Sequence, residues 1–293
     1  MTIQEALKIF TKKLQAKKNK TAALDAEVLL SFVIKKPKEF LYSHSEAKLT
    51  KLQLKKLSKL AARRTKGEPI AYLVKQKEFF GLSFLVDKRV LIPRPETELL
   101  VEEVIKEIRD QRSGIRDERL SVADIGTGSG CIIISLAKSY KIKAISYLAT
   151  DNSKLALQVA KLNAKTHQVK IKFLHGNLLK PLKNVKIDIL IANLPYGWPQ
   201  WKNNSSMQTA ALKFEPKNAL FAKENGLYLY HQLFEQIAKR KQKPKFIFIE
   251  FDPRQKTKLQ KLLKKYLPNY QVEIKKDLAG LNRILVIKLG PNV

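Results

Sequence analysis

The stretch Val122-Ala123-Asp124-Ile125-Gly126-Thr127-Gly128-Ser129-Gly130 restricts the possible folds more than any other part of the chain. An apolar strand runs straight into three glycines at alternate positions, and residues 132–137 then restore an apolar helix. Glycine lets a backbone turn tightly and approach a ligand closely, and the helix start behind the loop offers free N–H groups. From residue 121 onward the same alternation repeats, with strands predicted at 121–125, 145–150, 170–174, 186–192, 245–251, 271–275 and 283–289 and helices between most of them. Seven such strands predict an α/β fold: a mostly parallel sheet covered on both faces, with its ligand at the carboxyl edge.

Spacing separates the nucleotide readings of the glycine loop. A dinucleotide fingerprint needs glycine at its first, third and sixth positions, and the sixth is Cys131. A phosphate-cradling loop needs Gly-Lys followed by Ser or Thr after four intervening residues, where Cys131 and Ile132 stand. The remaining pattern, Asp-x-Gly-x-Gly-x-Gly, resembles the first motif of the S-adenosylmethionine-dependent methyltransferases. Asp151 ends the second strand 25 residues past Gly126. A carboxylate there can accept both hydroxyl protons of a ribose, or it can cap the next helix, a task open equally to Asn152 or Ser153.

A third constellation ends the strand Ile187-Asp188-Ile189-Leu190-Ile191-Ala192 with Asn193-Leu194-Pro195-Tyr196. It resembles the Asn-Pro-Pro-Tyr motif of methyltransferases acting on planar amide or amino nitrogens, with Leu194 in place of the first proline. Such a nitrogen is a poor nucleophile because its lone pair is delocalised, and positive charge grows on it during attack. The Asn193 side-chain oxygen and the Leu194 carbonyl can accept its two N–H bonds, while Tyr196 packs against the flat group. Hydrogen bonds to a charged group contribute roughly 1.5–3 kcal/mol each, so two can supply about 10²–10⁴ in rate.

Ahead of the α/β pattern, residues 1–75 carry apolar side chains at helical spacing, such as Ile3, Leu7, Phe10 and Leu14, broken by turn signals at Asn19, Pro37 and 67–69. This predicts a small helical bundle. Residues 78–92 change period around Phe80-Gly81-Leu82, which predicts a hairpin. Pro93-Arg94-Pro95 then stops the strand, and Glu96-Thr97-Glu98 opens an amphipathic helix carrying Leu99, Leu100, Val104, Ile105 and Ile108. The expected division is a helical domain at 1–75, a hairpin linker at 76–92 and an α/β domain at 93–293. The charged stretch 109–119 reads as a solvated linker. Residues 197–215, with Trp198 and Trp201, resist assignment and read as a functional loop.

The chain's 293 residues include 57 Lys and Arg against 26 Asp and Glu, a formal charge of +31. That excess admits nucleic acid, an anionic surface or an acidic partner, yet 46 of the basic residues are Lys, and bidentate readout favours Arg. Residues 1–80 carry 19 basic and 7 acidic side chains, a denser excess than the remainder. One cysteine, Cys131, excludes an internal disulfide, and four scattered histidines show no ligand spacing, so no metal is expected. The opening MTIQEALKIF lacks the pattern of an export signal, and no apolar run approaches a bilayer span. A cytoplasmic monomer without membrane association is the expectation.

Further segments narrow the resemblance. Glu68-Pro69-Ile70-Ala71-Tyr72-Leu73, Glu78-Phe79-Phe80-Gly81-Leu82 and Leu91-Ile92-Pro93-Arg94-Pro95-Glu96-Thr97-Glu98 resemble the joining segment of the HemK/PrmC family, the release factor glutamine N5-methyltransferases. Phe214-Glu215-Pro216, Asn225-Gly226-Leu227 and Lys276-Asp277-Leu278-Ala279-Gly280 with Arg283 extend the likeness over nearly the whole chain from about residue 20. The resemblance implies a helical domain, a β-hairpin linker and a seven-stranded, Rossmann-like class I methyltransferase domain. It implies S-adenosyl-L-methionine as cofactor and, as substrate, the glutamine amide of the Gly-Gly-Gln loop of peptide chain release factors. On this resemblance Gly126, Thr127, Gly128, Ser129 and Gly130 line the methionine end of the cofactor, Asp151 its ribose, and Asn177 and Leu178 its adenine. Asn193, Leu194, Pro195 and Tyr196 hold the glutamine amide, with Arg94 and Glu98 either shaping the substrate side or serving only as a turn and a helix start. Asn177 stands where the family commonly has an acid. Two other readings remain open from sequence: a nucleic-acid amino methyltransferase, which needs a sizeable recognition region for a flipped base, and a catalytically silent basic binding protein. The leading reading does not require direct nucleic-acid binding.

Overall fold

The computed structural model describes residues 1–16, 19–112, 120–139, 145–198 and 209–290. Residues 113–119 of the expected solvated linker, and 199–208 of the expected functional loop, lie outside the described residues. The chain forms two compact units, one comprising Met1–Gln76 and a segment ending at Phe214, the other Lys77–Lys202 and Glu215–Val293.

The first unit is helical: α1 (Ile3–Gln15), α2 (Ala22–Ile34), α3 (Lys38–Ser43), α4 (Lys51–Thr65) and α5 (Ile70–Val74). Capping boxes open α1 and α4, where Thr2 pairs reciprocally with Glu5 and Thr50 with Gln53. Ile3, Ala6, Phe10 and Leu14 form one stripe of α1 and join Leu29, Leu30, Leu57 and Leu60 in this unit's own core. Inside it, Arg64 meets Asp25 at 2.6 Å, both side chains buried.

The second unit opens with β1 (Gln76–Phe79) and β2 (Leu82–Leu85), a two-stranded sheet. Phe80 and Gly81 both take positive φ, 50° and 68°, as the tight two-residue hairpin turn requires. The second strand is shorter than the 78–92 pattern predicts. Asp87 ends it by turning the chain on itself: its side chain accepts the Arg89 N–H at 3.0 Å and its carbonyl accepts the Val90 N–H at 3.0 Å. A single 3₁₀ turn over Pro95–Thr97 then leads into α6 (Glu98–Arg112), which buries Leu100, Val101, Val104, Ile105 and Ile108.

Seven strands follow: β3 (Leu120–Ile125), β4 (Ile145–Asp151), β5 (Lys172–His175), β6 (Ile189–Ala192), β7 (Phe246–Glu250), β8 (Tyr270–Lys276) and β9 (Asn282–Leu289). They alternate with α7 (Cys131–Ser139), α8 (Lys154–Thr166), the single turns α9 (Lys217–Leu220) and α10 (Lys223–Gly226), α11 (Tyr228–Ala238) and α12 (Lys256–Tyr266). The spatial order is β5-β4-β3-β6-β7-β9-β8, parallel from β5 through β7 and antiparallel at both faces of β9. The chain reverses direction across the sheet at β3, and such a switch point opens a crevice at the carboxyl edge. Register fixes what lies there. Ile125 pairs with Thr150 on one side and Ala192 on the other, and Ala192 pairs with Ile249. The next residues along, Gly126, Asp151, Asn193 and Glu250, therefore emerge at one edge.

Candidate functional site

At that edge a cleft is lined by Gly126, Gly128, Asp151, Asn177, Leu178, Asn193, Leu194 and Pro195, together with Leu91, Asn152, Ser153, Ala156, Pro216, Asn218 and Leu229. Of the residues singled out from sequence, Thr127, Ser129, Gly130 and Tyr196 stand behind this wall, and Arg94 and Glu98 do not line it.

The glycine loop is shaped by backbone bonds. Gly126 and Thr127 N–H both donate to the Thr150 carbonyl, at 2.8 and 3.0 Å, and Gly130 N–H donates to the Thr127 carbonyl at 2.8 Å. All three glycines have positive φ. A Cβ on Gly126 would lie 2.9 Å from the Leu194 side chain and one on Gly130 2.9 Å from Ile134, whereas one on Gly128 would meet nothing within 4 Å. Gly128 thus presents bare backbone to open space, as close approach of a ligand demands.

Two carboxylates sit beneath the loop. Asp151 accepts the Gly128 N–H at 2.9 Å on Oδ2 and the Ser153 N–H at 2.8 Å on Oδ1. Ser153, and not Asp151, caps α8 by accepting the Ala156 N–H. A further N–H bond comes from Asn152, and the carboxylate keeps acceptor capacity for a hydroxyl donor. Burial raises its pKa above the ordinary carboxylate value, against the opposing effect of these three N–H bonds and of the His175 charge. Asp124 is wholly buried, accepts the Thr127 hydroxyl at 2.6 Å and has no partner for Oδ1 among the described residues. Desolvation, with the nearby Asp151 charge adding to it, pushes the Asp124 carboxyl up to about 7. Of these two carboxylates Asp151 lines the cleft, together with the cationic Arg89, while Asp124 lies buried behind it. Cys131, buried at the start of α7, has its thiol pushed up to about 12 by burial, which leaves it an inert packing group.

On the opposite wall Asn193 holds both amide hydrogens inward. Nδ2 donates to Thr97 Oγ1 at 3.1 Å and to Glu250 Oε2 at 3.0 Å. Glu250, 1% exposed at the end of β7, also accepts the Tyr196 hydroxyl at 3.1 Å. Tyr230 OH lies 2.6 Å from the Glu250 carbonyl and 3.2 Å from the Leu194 carbonyl. It has one proton, and the shorter bond claims it, so the Leu194 carbonyl keeps its accepting capacity. Burial raises the Glu250 pKa, and burial, followed by the Glu250 charge, holds Tyr196 well above the ordinary phenol value and thus neutral.

The loop after Asn193 is braced from below. Gln255 Nε2 donates to the Tyr196 carbonyl at 3.0 Å and to the Asn225 carbonyl at 2.9 Å. Glu224, Asn225 and Gly226 all have positive φ, and a Cβ on Gly226 would fall 1.9 Å from the Tyr196 carbonyl oxygen. Arg94 and Glu98 serve other contacts. Arg94 pairs with the buried Glu215 at 2.6 Å, and Glu98 accepts the Phe80 N–H of the hairpin turn at 2.9 Å. Sequence reading missed Thr97, Glu250 and Gln255 as partners of this loop, and the only local signal was a carboxylate ending the apolar run Phe246-Ile247-Phe248-Ile249-Glu250.

The reversed last strand, the glycine loop ending the first strand of the large sheet, and the Asn-x-Pro-Tyr turn beside it define a Rossmann-like methyltransferase of the seven-stranded class. Residues 5–74 match the PrmC N-terminal domain family and residues 96–222 the methyltransferase small domain family. The chain is 36% identical to the release factor glutamine methyltransferase of Coxiella burnetii, over 99% of this chain and 100% of that one. It is 40% identical to the same enzyme of Enterococcus faecalis over 74% of this chain and 75% of that one. The chain belongs to the release factor glutamine methyltransferase family. Its fold is shared with the hMettl16 catalytic domain solved with a MAT2A 3′UTR hairpin, at TM-score 0.56 and 18% identity over 80% of this chain and 83% of that one. Among the described residues no helix is long and apolar enough to cross a membrane, and no cluster of metal-ligating side chains occurs.

Proposed function

We infer that this protein transfers a methyl group from S-adenosylmethionine to the side-chain amide nitrogen of the glutamine in the Gly-Gly-Gln loop of peptide chain release factors. The observation that carries the reading is Asn193: both its amide hydrogens are engaged inside the protein, so what it offers the cleft is an acceptor, beside the Leu194 carbonyl. Two acceptors side by side match the two hydrogens of a primary amide.

The residues of the cleft fit the cofactor. Gly128 leaves room for close approach, and Asp151 brings a carboxylate to the cleft as an acceptor for the ribose hydroxyls. Asn177 and Leu178 line the same cleft, which supports a role beside the adenine. When bound, S-adenosylmethionine supplies an electrophilic methyl group whose carbon–sulfur bond surrenders its electron pair to sulfur. Asn193 and Leu194 hold the amide nitrogen in line with that methyl and stabilise the positive charge that grows on it. Tyr196, neutral and fixed by Glu250, packs against the amide plane. No strong base has to act before attack, because the nitrogen becomes acidic on methylation and its proton can then leave to solvent.

The test offers methyl-labelled S-adenosylmethionine with purified release factor, with the same factor lacking its loop glutamine, and with DNA. Label is expected on the intact factor alone, and equal label on the glutamine-less factor or on DNA would sink the reading. Asn193→Ala is expected to lower turnover by about 10²-fold or more while cofactor affinity stays within about twofold.

A further inference from the structure

We propose that Glu250, assisted by Thr97, is a positioning residue that decides which end of the Asn193 amide faces the substrate. The proposal rests on the methyl-transfer reading above and adds a device that the motif itself does not contain. An asparagine amide can rotate by half a turn and present either an acceptor or a donor pair, and only the acceptor serves an amide substrate. Glu250 settles the choice by geometry: one of its oxygens accepts the Tyr196 hydroxyl at 3.1 Å and the other faces the amide at 3.0 Å as a second acceptor, so the amide end turned towards it is the NH₂. Thr97 takes the second amide hydrogen at 3.1 Å and directs its own hydroxyl bond to Glu250. The other carboxylate oxygen accepts the Tyr196 hydroxyl at 3.1 Å. One buried side chain thereby sets the orientation of two residues of the Asn-x-Pro-Tyr turn. Arg283, whose charge acts on Glu250 and opposes the effect of its burial, has its own guanidinium engaged with Asp277 at 3.0 Å, while the Glu250 oxygens accept from Asn193 and Tyr196.

Exchanging the donor and acceptor ends of the pair tests this. In Asn193→Asp two carboxylates face each other, and turnover is expected to fall at least about 100-fold. In Glu250→Gln one acceptor is lost, and turnover is expected to fall about tenfold to 100-fold with cofactor affinity within about twofold of the parent. The double variant N193D/E250Q restores complementarity: the Gln amide donates to the inward Asp oxygen, still accepts the Tyr196 hydroxyl and leaves an acceptor outward. It is expected to recover at least about tenfold over N193D. Losses that simply multiply, or an E250Q protein with parental turnover, would overturn the proposal. Thermal unfolding is recorded for each variant. If the exchanged pair does not fold, Thr97→Val carries the test. It removes the second acceptor together with the hydroxyl donor to Glu250, is expected to lower turnover at least about threefold at unchanged cofactor affinity, and overturns the proposal if turnover is unchanged. Parental protein that labels no release-factor glutamine would refute the substrate reading instead, a result visible before any variant is made.

Discussion

Gly226 and Gly128 share a left-handed backbone, with φ of 82° and 55°, and differ in what lies in front of them. A methyl group on Gly226 would overlap the Tyr196 carbonyl, whereas one on Gly128 would project into the cleft. Gly226→Ala is therefore expected to destabilise the protein by about 2–4 kcal/mol, from overpacking plus a strained backbone, read in a urea melt. Gly128→Ala is expected to cost only about 1–2 kcal/mol of stability yet to weaken S-adenosylmethionine binding at least about tenfold by calorimetry. Equal effects of the two substitutions on stability and on binding would contradict this division. Glu224 and Asn225, which precede Gly226 in the same left-handed conformation, show that the strain is held by packing around the Tyr196 turn and does not follow from the glycine alone.

Between elements the most economical connection is Asn163, on α8 and 1% exposed. Its amide nitrogen donates to the Leu85 and Ser129 carbonyls, at 3.0 and 2.9 Å, while its oxygen accepts the Leu85 N–H at 2.8 Å. One side chain thus ties the hairpin, α8 and the glycine loop. Asn163→Ala takes this partner from the buried Ser129 carbonyl and from the part-buried Leu85 N–H and carbonyl, and is expected to cost about 2–4 kcal/mol, with a measurable loss of cofactor affinity because Ser129 belongs to the loop. The strands themselves were legible from sequence. All seven fall within a few residues of the apolar runs, because glycine and charged residues bound each run. The hairpin turn was legible for the same reason, but the end of β2 was not, since it is set by the local turn at Asp87. Glu250 was illegible as a partner of Asn193: its meaning depends on the register of β6 against β7, a pairing of residues 57 apart in the chain. Asn163 likewise reads as an ordinary polar helix position until the hairpin packs on it.

Over the whole molecule, the two cores are separate. Leu30 lies in the helical unit's core, and Trp198, with the Arg254 guanidinium 4.7 Å from its ring, belongs to the other unit. Leu30→Ala is expected to cost about 2–5 kcal/mol in its own unit. Far-UV circular dichroism should then show an early partial transition that Trp198 fluorescence, read in a Trp201→Phe background, does not follow, and coincident curves would show the two units melting as one. The charge of +31 admits nucleic acid as a partner, yet no lysine among the described residues lines the cleft, so the lysine excess lies outside it. The placement of β9 bears on how the molecule assembles. The last strand in sequence lies between β7 and β8, so strands β5 through β7 can pair while the outer edge of β7 waits for residues made some thirty positions later. The glycine loop and Asp151 lie on β3 and β4, whose pairing needs nothing made after β6. Glu250 ends β7, and on its β9 side it meets Ile284 only once the last strand is in place. Until then β7 presents an unpaired edge beside Glu250, the kind of edge on which a nascent chain pairs with a neighbour.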